Sequence, residues 1–518
     1  MTRTHARHSP LAMDAGTFRT LGRQLVDQLA DALDSVPRRP VTRDESPSAV
    51  RAAFDLDAPL PDAGMDPGPL LEQTTRLLFE HSLFNGHPRF FGYITASPAP
   101  VGMLGDLLAA AVNPNVGGWA LSPAATEIEA QTVRWIGELL GFSPGGGLLV
   151  SGGNMANIIG LLAARAAKAG WDVRQEGGVG TPGRRLRVYA SAEAHTWLQK
   201  AADVAGLGTS SIRWIPTDRG LRMDVDALAR QMDADVAAGD TPFLVVGTAG
   251  TVSTGAVDPL PAIARICRES GAWFHVDGAY GGFAAALPDA PDDLRALGLA
   301  DSVAVDPHKW LYAPLEAGCV LVRDAQCLRA AFAYHPPYYH FDEQATNYLD
   351  YGLQNSRGFR ALKVWLALRQ VGAAGYRTMI GDDIRLSRQM AEAVARHPEL
   401  ELVTQNLSIT TFRYVPPALR SALGSPEAET RLDALNLALL ERLQRGGELF
   451  VSNAVVHGRY LLRACIVNFH TDDADVEAVP EIVARVGRAV WAEQASGAAD
   501  VRDASSGDRV DHLATAAP

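Results

Sequence analysis

The order of short apolar runs between about residues 100 and 373 limits most strongly what this chain can fold into. Seven runs of three to five residues read as strands: 148–150, 187–190, 212–215, 243–247, 273–276, 302–305 and 319–322. Stretches with helical spacing lie between them. Strands that alternate with helices build a mostly parallel sheet with helices on its faces. Beyond this stretch the order changes. A long helical run at 376–397 leads to strands at 401–403 and 409–415, a helix at 427–445, strands at 449–451 and 460–467, and a last helix at 474–491. That order predicts a smaller α+β unit.

The ends read differently. Residues 1 to about 15 have no pattern, and helical spacing appears at 18–33 and 70–84 around a Pro/Arg/Asp-rich stretch. The last two dozen residues are rich in Ala, Ser, Gly and Asp and are expected to be unstructured. The expected division is a helical N-terminal segment at 1–99, a large α/β domain at 100–374, a small α+β domain at 375–493 and a tail at 494–518.

Composition narrows the function. Of 518 residues, 47% are hydrophobic and 20% charged, enough apolar material for a large core. The formal net charge of −12 argues against nucleic acid or an anionic membrane as partner. No apolar run approaches the roughly 18 residues that span a bilayer, and the basic start lacks the apolar stretch of a signal peptide. Cys267, Cys319, Cys327 and Cys465 are scattered without a Cys-x-x-Cys pair, which points to reduced core thiols, with neither a disulfide frame nor a metal site. A soluble, cytoplasmic protein is the expectation.

The chemistry lies at strand ends. The 302–305 run is followed by Asp306-Pro307-His308-Lys309-Trp310, and the 273–276 run ends in Asp277. An amine and a carboxylate at the tips of two core strands are what pyridoxal 5'-phosphate requires. The amine forms the Schiff base, and the carboxylate keeps the pyridine nitrogen protonated so that the ring withdraws electrons. Ser151-Gly152-Gly153-Asn154 joins a strand to a helical run, where free N–H groups and the helix dipole favour a phosphate by about 0.3–1 kcal/mol per charge. Taken alone, such a turn is also ordinary loop geometry. His195 follows a strand and opens a helix. Beside Lys309 and Asp277, its flat imidazole suits stacking on the pyridine ring or contact with a substrate carboxylate. The loop from Thr248 to Gly255 supplies hydroxyls, and Ala279, two residues past Asp277, leaves room for a flat ring. Tyr338 lies in a Pro-rich polar loop, where a mobile segment can deliver a phenol to a cofactor.

Several longer motifs resemble those of the group II pyridoxal-phosphate decarboxylases, the aromatic-L-amino-acid decarboxylase family. They are His87-Pro-Arg-Phe-Phe-Gly-Tyr93, Ser122-Pro-Ala-Ala-Thr-Glu-Ile-Glu129, Ala194-His195, His275-Val-Asp-Gly-Ala-Tyr280, Asp306 to Trp310, Gly358-Phe-Arg-Ala-Leu-Lys363 and Arg459-Tyr-Leu-Leu-Arg463. The resemblance runs from about residue 14 to 491. It implies the fold type I (aspartate-aminotransferase-like) α/β architecture, with Lys309 as Schiff-base lysine, Asp277 at the pyridine nitrogen and His195 stacked on the ring. It puts Gly153 and Asn154 at the phosphate, and Asp306, His308 and Ala279 among the cofactor contacts. Tyr93 and Thr95, with His195, fall near the substrate. Tyr338 matches the tyrosine of a catalytic loop whose replacement by Phe marks aldehyde-forming relatives. The resemblance also implies an obligate homodimer with wrapped N-terminal segments, active sites at the interface and residues 115–119 contributed across it.

The chain departs from the family in three places. Val252 stands where animal enzymes have a cofactor-contacting threonine, so Thr251 or Ser253 is expected to take over. Asp306 replaces an asparagine, and a carboxylate near a phosphate must be paired or turned away. Gly117 replaces a bulky pocket aromatic. The implied activity is decarboxylation of an aromatic L-amino acid to CO2 and an amine. Its rivals are an aldehyde synthase, a decarboxylase of acidic or diamine substrates such as glutamate, cysteine sulfinate or diaminobutyrate, and a non-catalytic homologue.

Overall fold

A computed structural model describes the chain over residues 9–177, 185–335 and 345–506, with side chains up to 496. Two sheets form among the described residues. The larger has seven strands: β1 (Gly146–Val150), β2 (Leu186–Ser191), β3 (Ile212–Ile215), β4 (Thr241–Thr248), β5 (Trp273–Asp277), β6 (Ser302–Val305) and β7 (Gly318–Val322). Their spatial order is β1-β7-β6-β5-β4-β2-β3, and only β7 runs against its neighbours. All seven predicted strands are present. β2, β4, β5, β6 and β7 are buried along almost their whole length because helices cover both faces, which explains their near-continuous apolar runs.

The smaller sheet has the antiparallel order β10-β11-β9-β8, with β8 at Leu400–Asn406, β9 at Ile409–Tyr414, β10 at Ser452–Val456 and β11 at Arg459–Cys465. The strand expected at 449–451 is displaced to β10. Leu449 to Val451 is an apolar approach whose Phe450 makes a single bridge to Phe90, while β10 alternates buried and exposed residues and pairs with β11. The helix Ala361–Arg396 packs against both this sheet and the helices Pro100–Val112 and Pro123–Leu140. It breaks at Gly372, where φ is 67°. The N-terminal segment lies on the smaller unit, with the Val41 N–H donating to the Gly447 carbonyl at 2.7 Å and Arg89 Nε donating to Asp475 Oδ1 at 2.9 Å. At the other end the helix Asp473–Ser506 continues past residue 494, where composition predicts a tail to begin.

One buried ion pair ties the edge of the large sheet to the loop before it. Arg357 meets the Glu129 carboxylate, both side chains almost wholly excluded from solvent. Glu129 also accepts from the Leu149 N–H at 2.8 Å, while Arg357 donates to the carbonyls of Val116 and Leu149 at 2.8 and 2.7 Å. Arg357→Leu leaves that carboxylate buried without a counter-charge, which costs about 3–5 kcal/mol. Denaturant titration reads this as a lower unfolding midpoint. A variant within about 1 kcal/mol of the parent, below the range for a broken buried pair, would show that the pair is not load-sharing.

Candidate active site

The strand directions bring five carboxyl ends to one side of the large sheet. Ser151 follows β1, His195 follows β2, Thr248 ends β4, Asp277 ends β5 and Asp306 follows β6. Ligands of open α/β sheets bind at such ends. Register fixes the centre: Asp277 pairs with Thr248 on one side and Ala304 on the other. A cavity of about 350 Å3 opens there. Lys309, Asp277, His195, Asp306 and His308 line it, as do Gly153, Asn154 and Ala279.

Charge in the cavity is arranged in two clusters. In the first, Lys309 Nζ lies 3.0 Å from Asp306 Oδ2, and His308 Nε2 lies 3.5 Å from the same oxygen. The acid that replaces the family's asparagine is therefore paired. Its other oxygen, Oδ1, is buried without a partner. In the second, Asp277 Oδ2 accepts from the Trp197 indole N–H at 2.7 Å and Oδ1 from the Ala279 N–H at 3.1 Å. His195 Nδ1 accepts the Trp197 backbone N–H at 3.1 Å, so the proton of the neutral ring sits on Nε2. Burial pushes the His195 imidazole below the usual histidine range, only partly offset by Asp277. Burial acts the same way on His308. Both rings are held toward the neutral form.

Deeper in, His275 on β5 is bonded at 2.7 Å to both Ser302 Oγ and Asn157 Oδ1, and burial pushes it down to about 4. Gly160 makes room for it, since a Cβ there would come within 2.7 Å of the ring. The cofactor loop is built by close approach as well. A Cβ on Gly153 would sit 2.8 Å from Asp306 Oδ2 and 3.1 Å from the Ala279 methyl, so only glycine fits. Gly152, at φ 139°, caps the 16-residue helix Gly153–Lys168.

The far wall joins the site to the smaller unit. Tyr280 lines the cavity, stacks on Trp310 at 4.8 Å and shares a 2.8 Å hydrogen bond with Ser408, in the turn between β8 and β9. Trp310 and Tyr312, on either side of the lysine segment's end, both donate to Asp383 Oδ2, at 3.0 and 2.7 Å. Burial raises that carboxyl to about 7.

Three sequence expectations fall elsewhere. Thr251 does not line the cavity. Its hydroxyl is 3.1 Å from Thr254 Oγ1 and accepts the Ala256 N–H at 3.1 Å, closing its own loop, while Val252 faces the cavity. Tyr93 and Thr95 also lie outside the lining; Tyr93 is exposed on a left-handed turn, and the Thr95 hydroxyl is buried without a partner. Tyr338 lies outside the described residues. At Gly117, the Asn355 carbonyl occupies the space a side chain would need, so this backbone admits no aromatic there. Sequence reading missed Trp197, and it took Thr248 only as one member of a hydroxyl-bearing loop. The Thr248 hydroxyl is buried, unpartnered and in the cavity lining.

This set of groups fits pyridoxal 5'-phosphate. An amine for its aldehyde, a carboxylate for its ring nitrogen and a glycine cradle at a helix N-terminus for its phosphate share one cavity, with two unsatisfied buried oxygens nearby. The group would be held by Lys309, Asp277, His195 and the Gly152–Asn154 turn.

Comparison with known proteins agrees. Residues 47–415 match the pyridoxal-dependent decarboxylase conserved domain. The chain is 33% identical over 467 residues to an aromatic-L-amino-acid decarboxylase of Bacillus atrophaeus, covering 89% of this chain and 93% of that one. It is 31% identical over 484 residues to a phenylacetaldehyde synthase of Petunia hybrida, covering 91% and 94%. The crystal structure of Oryza sativa TDC with PLP and tryptamine superposes with a TM-score of 0.85 at 29% identity, covering 93% of this chain and 99% of that one. The architecture is fold type I, and the cofactor is pyridoxal 5'-phosphate. With this motif set on this sheet, the chain belongs to the pyridoxal-dependent decarboxylase family.

Proposed function

We propose that the protein decarboxylates aromatic L-amino acids, releasing CO2 and the corresponding amine. The observation that carries this reading is the placement of Lys309, Asp277 and His195 in one cavity at the strand ends, in a chain whose relatives include an aromatic-L-amino-acid decarboxylase. Pyridoxal 5'-phosphate, when bound, supplies an electron-withdrawing ring that takes up the electron pair left as CO2 departs. Lys309 would anchor it through its amine, Asp277 would supply the carboxylate for its ring nitrogen, His195 would offer a flat imidazole to the ring, and Gly153 and Asn154 would hold the phosphate. Tyr338 would return a proton to Cα, with Tyr93 and Thr95 near the substrate and residues 115–119 contributed across the dimer interface.

The same reading makes the protein a cytoplasmic homodimer with its four segments divided at about residues 99, 374 and 493. Support for the dimer comes from the helix Pro100–Val112, which leaves Leu104, Leu107, Leu108 and Val112 more than half exposed. An apolar stripe of that kind wants a partner surface. Among the described residues, no helix is long and apolar enough to cross a membrane. Sedimentation velocity at micromolar concentration is expected to give the mass of two chains, and a single-chain mass would remove the interface from the proposal.

Asp277→Ala is expected to lower kcat by about 10²–10³-fold, because the charge it balances is largest in the transition state. Cofactor content, read from the visible absorbance, should fall much less. Turnover near the parental rate would refute the assignment of Asp277.

Amine and aldehyde are the two outcomes open to this site, since the Petunia hybrida relative is an aldehyde synthase. Assays of CO2, amine, ammonia and peroxide across phenylalanine, tyrosine, tryptophan and glutamate are expected to give amine from an aromatic substrate. In Tyr338→Phe, products should shift toward aldehyde and ammonia. Unchanged amine from that variant would mean another group delivers the proton.

A further inference from the structure

Trp197 opens the helix Trp197–Val204 and is 1% exposed within an apolar cluster, which fits a packing residue. Its polar atom does something more specific. A buried indole N–H needs an acceptor, and here the acceptor is Asp277 Oδ2 at 2.7 Å. The backbone N–H of the same residue donates to His195 Nδ1 at 3.1 Å. One residue therefore holds both the carboxylate assigned to the ring nitrogen and the imidazole assigned to the ring face.

We propose that Trp197 is a positioning residue for the cofactor ring: its indole N–H, 2.7 Å from Asp277 Oδ2, fixes the carboxylate that would face the pyridine nitrogen and hold it protonated. The proposal rests on the reading that Asp277 faces that nitrogen.

The direction follows from hydrogen bonding. A donor to a carboxylate stabilises its anion. A carboxylate held fixed in its anionic form would keep the ring nitrogen protonated and so support the electron sink. Asp277 is also held by the Ala279 N–H at 3.1 Å, but that donor comes from its own turn and reaches the other oxygen. The remaining ionisable neighbours are His195, His275, Lys309 and Asp306. His275 packs edge-on against the indole with centroids 6.0 Å apart, and burial keeps it neutral, so it adds no rival charge beside Asp277. Lys309 is paired with Asp306 at 3.0 Å. Among the groups named, Trp197 supplies the one side-chain N–H given to Asp277.

The test replaces the indole N–H while keeping its shape. Full-length protein carrying β-(3-benzothienyl)alanine at position 197, with sulfur in place of N–H, is loaded with cofactor labelled with 15N at the pyridine nitrogen. The 15N chemical shift reads protonation at that atom directly, without turnover. In the parent the shift is expected in the protonated range. In the isostere it should move toward the unprotonated range, and kcat should fall about tenfold with KM within about twofold, the scale of one charge-assisted hydrogen bond. A 5-fluorotryptophan at 197 keeps the N–H and should retain parental shift and kcat. A protonated parent with an unchanged shift in the isostere would overturn the role of Trp197. An unprotonated nitrogen in the parent would instead overturn the reading of Asp277. Trp197→Phe serves as a second variant, expected to show the same shift change.

Discussion

Asp277 is immobilised before any ligand arrives, and the rest of the site is organised around that fact. β5 pairs with β4 along its whole length and with β6 over its last three residues, so the residue at its tip cannot slide without breaking two ladders. Two N–H donors then use one lone pair on each carboxylate oxygen. Lys309 follows the neighbouring strand β6, in the turn after Asp306, where its amine pairs with that residue and lines the same cavity as Asp277.

Small residues do the complementary work of letting surfaces meet. Gly153 is pressed between Asp306 and Ala279, and Gly318 of β7 faces the Gly152 backbone with a Cβ's space already taken at 2.5 Å. These contacts bring a helix N-terminus, a carboxylate and the antiparallel strand into a space that larger residues would force apart. The pairing of Asp306 with Lys309 also answers a difficulty the sequence raises, since a free acid beside a phosphate would repel it.

Much of this was legible without coordinates. Most strands of the large sheet were readable because both faces are covered, which makes them near-continuous apolar runs. β10 was not, because Ser452 and Asn453 open a strand with one solvated face, and the stronger apolar signal lies just before it. At the site, residues whose chemistry is unusual for a strand end, such as Lys309 and Asp277, stood out. Trp197 did not, since a tryptophan in a helix's first turn reads as core. Its one signal was its place two residues after His195. Thr251 was misread for a related reason: composition reveals a hydroxyl but not which way a turn points it. Tyr93 and Thr95 were reached only through likeness to a family, and within one chain they stand apart from the cavity.

The tie from Tyr280 to Ser408, together with the two donors that Asp383 draws from Trp310 and Tyr312, makes the smaller unit a mechanical lever on the catalytic centre. Any torque on the β8–β9 turn reaches the aromatic wall behind the coenzyme, and any slip of the long helix reaches the backbone next to the anchoring amine. Remodelling that turn would therefore disturb the packing of Tyr280, which lines the cavity, against Trp310.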